Sequence, residues 1–303
     1  HFRGEHMYDP TIKTFITVAD CGSFTLASSK LYISPTAVMK QINTLEGRLS
    51  LTLFNRNSSG VTLTNAGKII YTASKDIIER SENAVLKAKR EEEEYEKTFC
   101  VGTSLLNPAK PLMDLWYTLN DRFPGYKLHL VPFDDNHNDI VSVVSSLGEK
   151  FDFLVGPCDS KMWRNECDTL EIGKCRFTVA VSRTHRLADK KSVSAADLEG
   201  ETVMMVKYGD SPANDTLRKE LAGHGNINFY DTPNFYDMTV FNRCAESDDI
   251  LLSLDCWHDI HPGIITIPFE IENDLAIPLV IMYAKTAPDD IREFIRAVKE
   301  TLK

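Results

Sequence analysis

The chain has 303 residues, 43% of them hydrophobic and 26% charged, with a formal net charge of −10. That length exceeds a typical single domain, and no apolar run approaches the roughly 20 residues that cross a bilayer, which argues against a membrane span. The seven cysteines are scattered without a C-x-x-C pair, which argues against a disulfide framework or zinc site and for a reducing cytoplasm.

The charge is unevenly spread. Residues 1–97 sum to about +1 and the remainder to about −11, so the acidity belongs to the longer C-terminal part. A mildly basic first part gives a weak electrostatic pull on DNA, so two copies would have to bind together. His1 to His6 reads as an added leader ahead of a native Met7, and no secretory leader pattern is visible.

Asp9-Pro10 opens a first helix with Ile12, Phe15, Ile16 and Ala19 on one face, ended by Cys21-Gly22. Ser23 caps a second, Phe24 to Leu31, with Phe24, Ala27 and Leu31 inward. The third starts cleanly: Ser34 is placed to cap it and Pro35 fits its first position. Val38, Ile42, Leu45 and Leu49 form its buried stripe, and Thr36, Met39, Lys40 and Asn43 lie opposite, with no acid among them. Such a face suits a DNA major groove; read alone, the stretch also fits an ordinary surface helix. Its neighbours decide for a helix-turn-helix, because a second short helix and a tight turn precede it. Leu53 to Leu63 reads as a hairpin turning at Asn57-Ser-Ser-Gly60, a wing that would carry Arg56 to phosphates or the minor groove; the alternative is a solvated loop arginine. Thr64 caps a long helix to about Lys97, with Ala66, Ile70, Ala73, Ile77, Ala84 and Ala88 near a heptad seam suited to pairing with a second copy. Its acidic end, Glu91 to Glu94, reads as a solvated face.

These residues resemble the LysR-type transcriptional regulators. The matching positions are Phe15 and Val18, then Gly22-Ser-Phe-Thr-Leu-Ala27 and Ser34-Pro-Thr-Ala-Val38. They continue through Gln41-Ile42, Leu45-Glu46, Leu49, Leu53-Phe54, Arg56 and Leu63-Thr-Asn-Ala-Gly67. Met39-Lys40 stands where the family has Ser-Arg; Lys keeps the charge but lacks the fork by which Arg reads guanine. The resemblance implies DNA contacts from Ser34, Thr36, Met39, Lys40, Asn43 and Arg56.

From Thr98 short strands and helices alternate. Phe99–Thr103, Tyr126–Phe133 and Phe151–Val155 read as strands, separated by helices over Pro108–Phe123 and Ile140–Leu147. That order implies a parallel sheet covered by helices. A second run follows: strands Cys175–Ser182, Val203–Val206, Ile227–Tyr230, Ile250–Leu254 and Leu279–Tyr283, with helices near 213–222 and 237–246. A closing helix holds Ile291, Phe294, Ile295, Val298 and Leu302 on one stripe. The fold class is α/β: an all-α winged helix-turn-helix over 7–63, a linker and dimerisation helix over 64–97, and an effector-binding domain over 98–303. By the resemblance this last part is two-lobed like the periplasmic solute-binding proteins, with lobe 1 about 98–162 and 270–303 and lobe 2 about 163–269. Here the match is looser. Phe123-Pro124-Gly125 and Asp152 fit, His185-Arg-Leu-Ala188 lacks the family's Pro, and Glu246-Ser-Asp-Asp-Ile250 replaces a Gly-x-Gly-Ile segment.

Ligands of open α/β sheets sit at the carboxyl ends of strands. That rule points to Thr103, Ser104, Phe133, Asp134, Lys207, Tyr208 and Gly209, and the resemblance adds Phe235 and Met238 as apolar wall. Helix-start N–H groups suit a carboxylate, whereas Asp134 and Asp135 oppose a simple anion and suit an amine. Phe229, Tyr230, Phe235 and Tyr236 read as packing more than as an effector stack. No nucleophile elbow, P-loop, HExxH or dinucleotide fingerprint is present, and the histidines lack metal-ligand spacing, so no enzyme, cofactor or metal is expected. Cys158 and Cys167 read as buried small hydrophobes or, by the resemblance, as a redox pair. The expectation is a cytoplasmic regulator binding double-stranded DNA at an interrupted palindrome, as a dimer or tetramer, with a small-molecule effector, RNA polymerase as a further partner, and no membrane. The alternative is a solute-binding protein of a transport or sensing system.

Overall fold

The computed structural model describes residues 7–57, 60–92, 97–135, 143–233, 235–271 and 274–302. The chain forms two compact units, 1–95 and 96–303.

In the first unit α1 (Pro10–Cys21), α2 (Phe24–Leu31) and α3 (Pro35–Leu49) are each stopped and started by short-range chemistry. Asp9 accepts from Thr11 N (2.9 Å), Ser23 from Leu26 N (3.4 Å) and Ser34 from Ala37 N (3.2 Å), so each helix has a side-chain N-cap. Gly22, Tyr32 and Ser50 end them in the left-handed region. Phe15, Val18, Ala27, Val38, Ile42, Leu53 and Phe54 form the core, with the Phe15 and Phe54 rings 5.2 Å apart. Leu49 departs from the expected stripe: it is 41% exposed, because the last turn of α3 runs past the core. Strands β1 (Phe54–Asn57) and β2 (Gly60–Leu63) pair antiparallel as the wing. Ser58 and Ser59 of the predicted turn lie outside the described residues.

Thr64 accepts from Gly67 N (2.9 Å) and starts α4 (Asn65–Glu92). Gly67 sits so close to Leu53 that an added Cβ would stand 2.1 Å from its carbonyl oxygen. Of the expected seam, Ile70 packs on the core while Ala73, Ile77, Ala84 and Ala88 are exposed. The predicted continuation through Glu93 and Glu94 lies outside the described residues.

The second unit begins with β3 (Thr98–Thr103), α5 (Lys110–Leu119), β4 (Lys127–Pro132), β5 (Phe153–Pro157) and α6 (Lys161–Glu166). Then come β6 (Cys167–Ser182), β7 (Val193–Ser194), β8 (Thr202–Val206), α7 (Pro212–Ala222) and β9 (Asn228–Thr232). It closes with α8 (Met238–Glu246), β10 (Ile250–Leu254), β11 (Ile264–Glu270), β12 (Ala276–Ala284) and α9 (Asp289–Thr301). The strands follow the order β4-β3-β5-β12-β6-β10-β8-β9, with β11 pairing β6 and β7. The pairings β3–β4, β3–β5, β8–β9 and β8–β10 are parallel, as the alternation predicts. β12 and β6 pair antiparallel with each other and with their neighbours β5 and β10, so the sheet is mixed. The predicted strand at Cys175 is the second half of the sixteen-residue β6. Leu130 is 38% exposed because β4 is an edge strand. Of the predicted helix at Ile140–Leu147, residues 140–142 lie outside the described set. Leu302 is 44% exposed, one residue beyond α9.

Two main cores result. Phe99, Trp116, Phe153 and Phe294 centre the first, and Val179, Leu198, Val203, Leu217 and Leu252 the second. The paired β6 and β12 run through both. Among the described residues no helix is long and apolar enough to cross a membrane.

Candidate functional site

Two places concentrate chemistry. The first is the outer face of α3. Thr36, Lys40 and Asn43 are exposed there, Met39 is 41% exposed, and Val38 and Ile42 anchor the opposite side with no exposure. Thr14 donates to Gln41 Oε1 (2.5 Å), tying α1 to α3. Ser34 caps the helix and is exposed beside Thr36.

Arg56 is not extended away from the domain. Its Nη2 donates to Asn43 Oδ1 (2.9 Å) and pairs with Glu46 Oε2 (2.6 Å), and its guanidinium lies 5.3 Å from the Phe24 ring centroid. The other oxygen of Glu46 accepts from Leu53 N (2.7 Å) and Phe54 N (3.2 Å). The wing is thereby braced on α3 and two backbone N–H groups are satisfied at once. Sequence reasoning gave Glu46 no such role. The signal available was an acid one helical turn after Asn43, on a face otherwise free of acids.

The second place is a cavity of about 90 Å³ between the two cores. Of the predicted effector residues it brings in Phe235 alone. Thr103 Oγ1 accepts from Ala109 N (3.2 Å), and Ser104 Oγ donates to Asp135 Oδ1 (2.5 Å), so both organise the loop after β3. Phe133 packs edge-on against Phe151, and Asp134, Lys207, Tyr208 and Gly209 are exposed. Phe235 stacks on Trp163 at 4.5 Å, and Tyr236 and Trp257 line the same space, so the pair Phe235–Tyr236 faces the cavity rather than only packing.

Asp159 and Asp210, neither of them named by sequence reasoning although the adjacent Cys158 and Gly209 were, build the cavity's rim. Each caps a helix on the other side. Asp159 Oδ2 accepts from Ala213 N (2.8 Å) at the start of α7. Asp210 accepts from Ser160 Oγ (2.6 Å) and Met162 N (3.1 Å) at the start of α6. Trp257 Nε1 donates to Leu106 O (2.9 Å), and Leu106 itself is buried against Met204 and Phe241. Ser211-Pro212 carries the same helix-start signal as Ser34-Pro35 and could have located this rim.

Burial pushes the Cys158 thiol up to about 12 and the Cys167 thiol up to about 11, away from the range of a reactive thiolate. Among the described residues, Cys175, Asp255 and Cys256 bring three potential ligand atoms within 4.8 Å of one another. Asp255 Oδ1 there accepts from Arg176 N (3.1 Å).

Residues 11–68 match the family described as "Bacterial regulatory helix-turn-helix protein, lysR family". The chain is 32% identical over 120 residues to the nitrogen assimilation regulatory protein nac of Klebsiella aerogenes, a match spanning 39% of each chain. It is 27% identical over 225 residues to the HTH-type transcriptional regulator CysL of Bacillus subtilis (strain 168), covering 72% of this chain and 71% of that one. The crystal structure of CbnR, a LysR family transcriptional regulator, superposes with a TM-score of 0.63 at 17% identity, covering 98% of this chain and 100% of that one, a likeness of fold. The capped helix-turn-helix and wing over residues 11–68 are thus those of the LysR family of bacterial regulatory helix-turn-helix proteins, and the mixed α/β second unit shares the fold of a LysR-family regulator.

Proposed function

We propose that this chain is a sequence-specific transcriptional regulator controlled by a small molecule bound between two lobes of its second unit. The observation that carries the reading is α3: capped at Ser34, anchored by Val38 and Ile42, and presenting Thr36, Lys40 and Asn43 without an acid between them. Lys40 would meet a phosphate or guanine, and Asn43 an adenine edge. Arg56 would act chiefly by holding the wing on α3. A relative of the same fold, CbnR, has been crystallised full-length with its target DNA.

The proposed division is a DNA-binding domain over 7–63, a pairing helix over 64–97, and two lobes, about 98–162 with 270–303 and about 163–269. Two copies paired along α4 would bind the halves of an interrupted palindrome and present an activating or repressing surface to RNA polymerase, all in the cytoplasm. Effector binding would bias lobe closure and so the spacing of the DNA-binding domains, a shift between existing states. The helix-turn-helix disfavours a transport-associated solute-binding role, and no catalytic role is proposed.

Gel shift with the DNA upstream of the chain's own coding sequence tests this. The intact chain is expected to form a salt-sensitive, competitor-resistant complex that Lys40→Ala weakens. Equal, non-specific retardation by both proteins would overturn the reading.

A further inference from the structure

Building on the reading of the inter-lobe cavity as the effector site, we propose that it takes a small organic cation: a protonated amine or quaternary ammonium on an apolar body. Among the described residues, the side chains lining the cavity include the carboxylates Asp159 and Asp210 and no Lys, Arg or His. Lys161 and Arg164 lie nearby on α6 but are exposed, and Lys161 Nζ donates to Gly209 O (3.2 Å). The start of α7, which could otherwise attract an anion, is already neutralised by Asp159. An entering anion therefore meets negative charge and, among the described residues, no lining cation.

A cation meets the opposite. Asp159 is 7% exposed; one of its oxygens holds Ala213 N, and the other has no hydrogen-bond partner among the described residues. A largely buried carboxylate with one oxygen still open to an incoming group gains from an ionic donor. Trp163, Phe235, Tyr236 and Trp257 line the same cavity, aromatic side chains that attract a cation and cover an apolar body. Two more polar atoms await partners. Trp163 Nε1 and Ser253 Oγ are buried and unpartnered among the described residues, and both side chains line this cavity. An indole N–H can only donate, so the ligand carries a neutral acceptor, such as a hydroxyl or carbonyl oxygen, beside its cationic nitrogen.

Calorimetric titration of the full chain decides the matter. The probes are tetramethylammonium and 2-phenylethylammonium, with 2-phenylethanol and phenylacetate as the neutral and anionic counterparts. The ammonium probes are expected to bind more tightly than either counterpart. Asp159→Asn keeps an acceptor for Ala213 N but removes the charge. It is expected to weaken ammonium binding about tenfold or more while leaving the alcohol nearly unchanged. Preference for phenylacetate, no binding of either ammonium, or indifference to Asp159→Asn overturns the proposal. If Asp159→Asn loses its fold, the wild-type preference between ammonium and carboxylate still decides. The effector reading is separated by repeating the gel shift with each probe. Phenylacetate that binds and alters DNA affinity overturns the cation while leaving the effector site standing. Asp159-dependent ammonium binding without any effect on DNA upholds the cation and removes the effector role.

Discussion

Glu46 shows how much a single side chain settles in the first unit. It accepts from two backbone N–H groups and pairs with Arg56, at 15% side-chain exposure. Glu46→Ala is expected to destabilise this unit by about 2 kcal/mol in urea melts, since hydrogen bonds to a charged group are lost and two amides are stranded. Gly67 is constrained by space, not by φ. An alanine methyl there would overlap Leu53 O, so Gly67→Ala is expected to cost about 1–3 kcal/mol and to loosen α4 from the wing. In the second unit, hydrogen bonds from Lys190 and Ser194 hold the Asp197 carboxyl down at about 2. A depressed folded-state pKa means its contribution is present above about pH 4 and is lost as pH falls toward 2. Asp197→Asn is expected to flatten that part of the stability–pH curve; an unchanged curve would count against the assignment. Cys158 and Cys167, raised by burial, are expected to resist iodoacetamide at pH 7 and to keep their free-thiol count after peroxide.

At the scale of elements, the sequence was most readable where local chemistry decides. Asp9-Pro10, Ser23 and Ser34-Pro35 mark three helix starts, and Gly22 marks an end, because caps are satisfied within a few residues. It was least readable where partners are distant. The first half of β6 alternates half-buried and exposed residues after Cys167, with Asp168 and Glu171 among them, and only its pairing with β12 makes it a strand, so its continuation alone was recognisable. Strand β11, with its central Pro268, was missed for the same reason: pairing with β6 outweighs local preference. The α3 face was legible residue by residue. The cavity was not, since the strand-end rule named loops, while the lining comes from the crossing segments at Asp159 and Asp210. The long helix α4 leaves Ile69 71% and Ile77 48% exposed, one face with Ala73 between them. Ile77→Glu is expected to shift the chain toward monomer in sedimentation velocity. A sedimentation profile identical to wild type would exclude α4 as the pairing surface.

For the molecule as a whole, the proposed function couples closure of the second unit to the reading of DNA. The reciprocal caps of Asp159 and Asp210 latch the two sides of the cavity, so removing one should loosen closure without touching either core. Asp210→Ala is expected to lower stability by about 1–2 kcal/mol, the loss of a cap. It should also shift DNA affinity in the absence of any ligand. The central claim, that α3 reads the major groove from paired copies, is tested most directly by hydroxyl-radical footprinting on the chain's own upstream DNA. The account predicts two protected patches separated by a whole number of helical turns, about 10 base pairs each, both lost in a Thr36→Ala, Lys40→Ala, Asn43→Ala triple variant that keeps its fold. Uniform protection along the duplex, or patches that survive the triple variant, would contradict it.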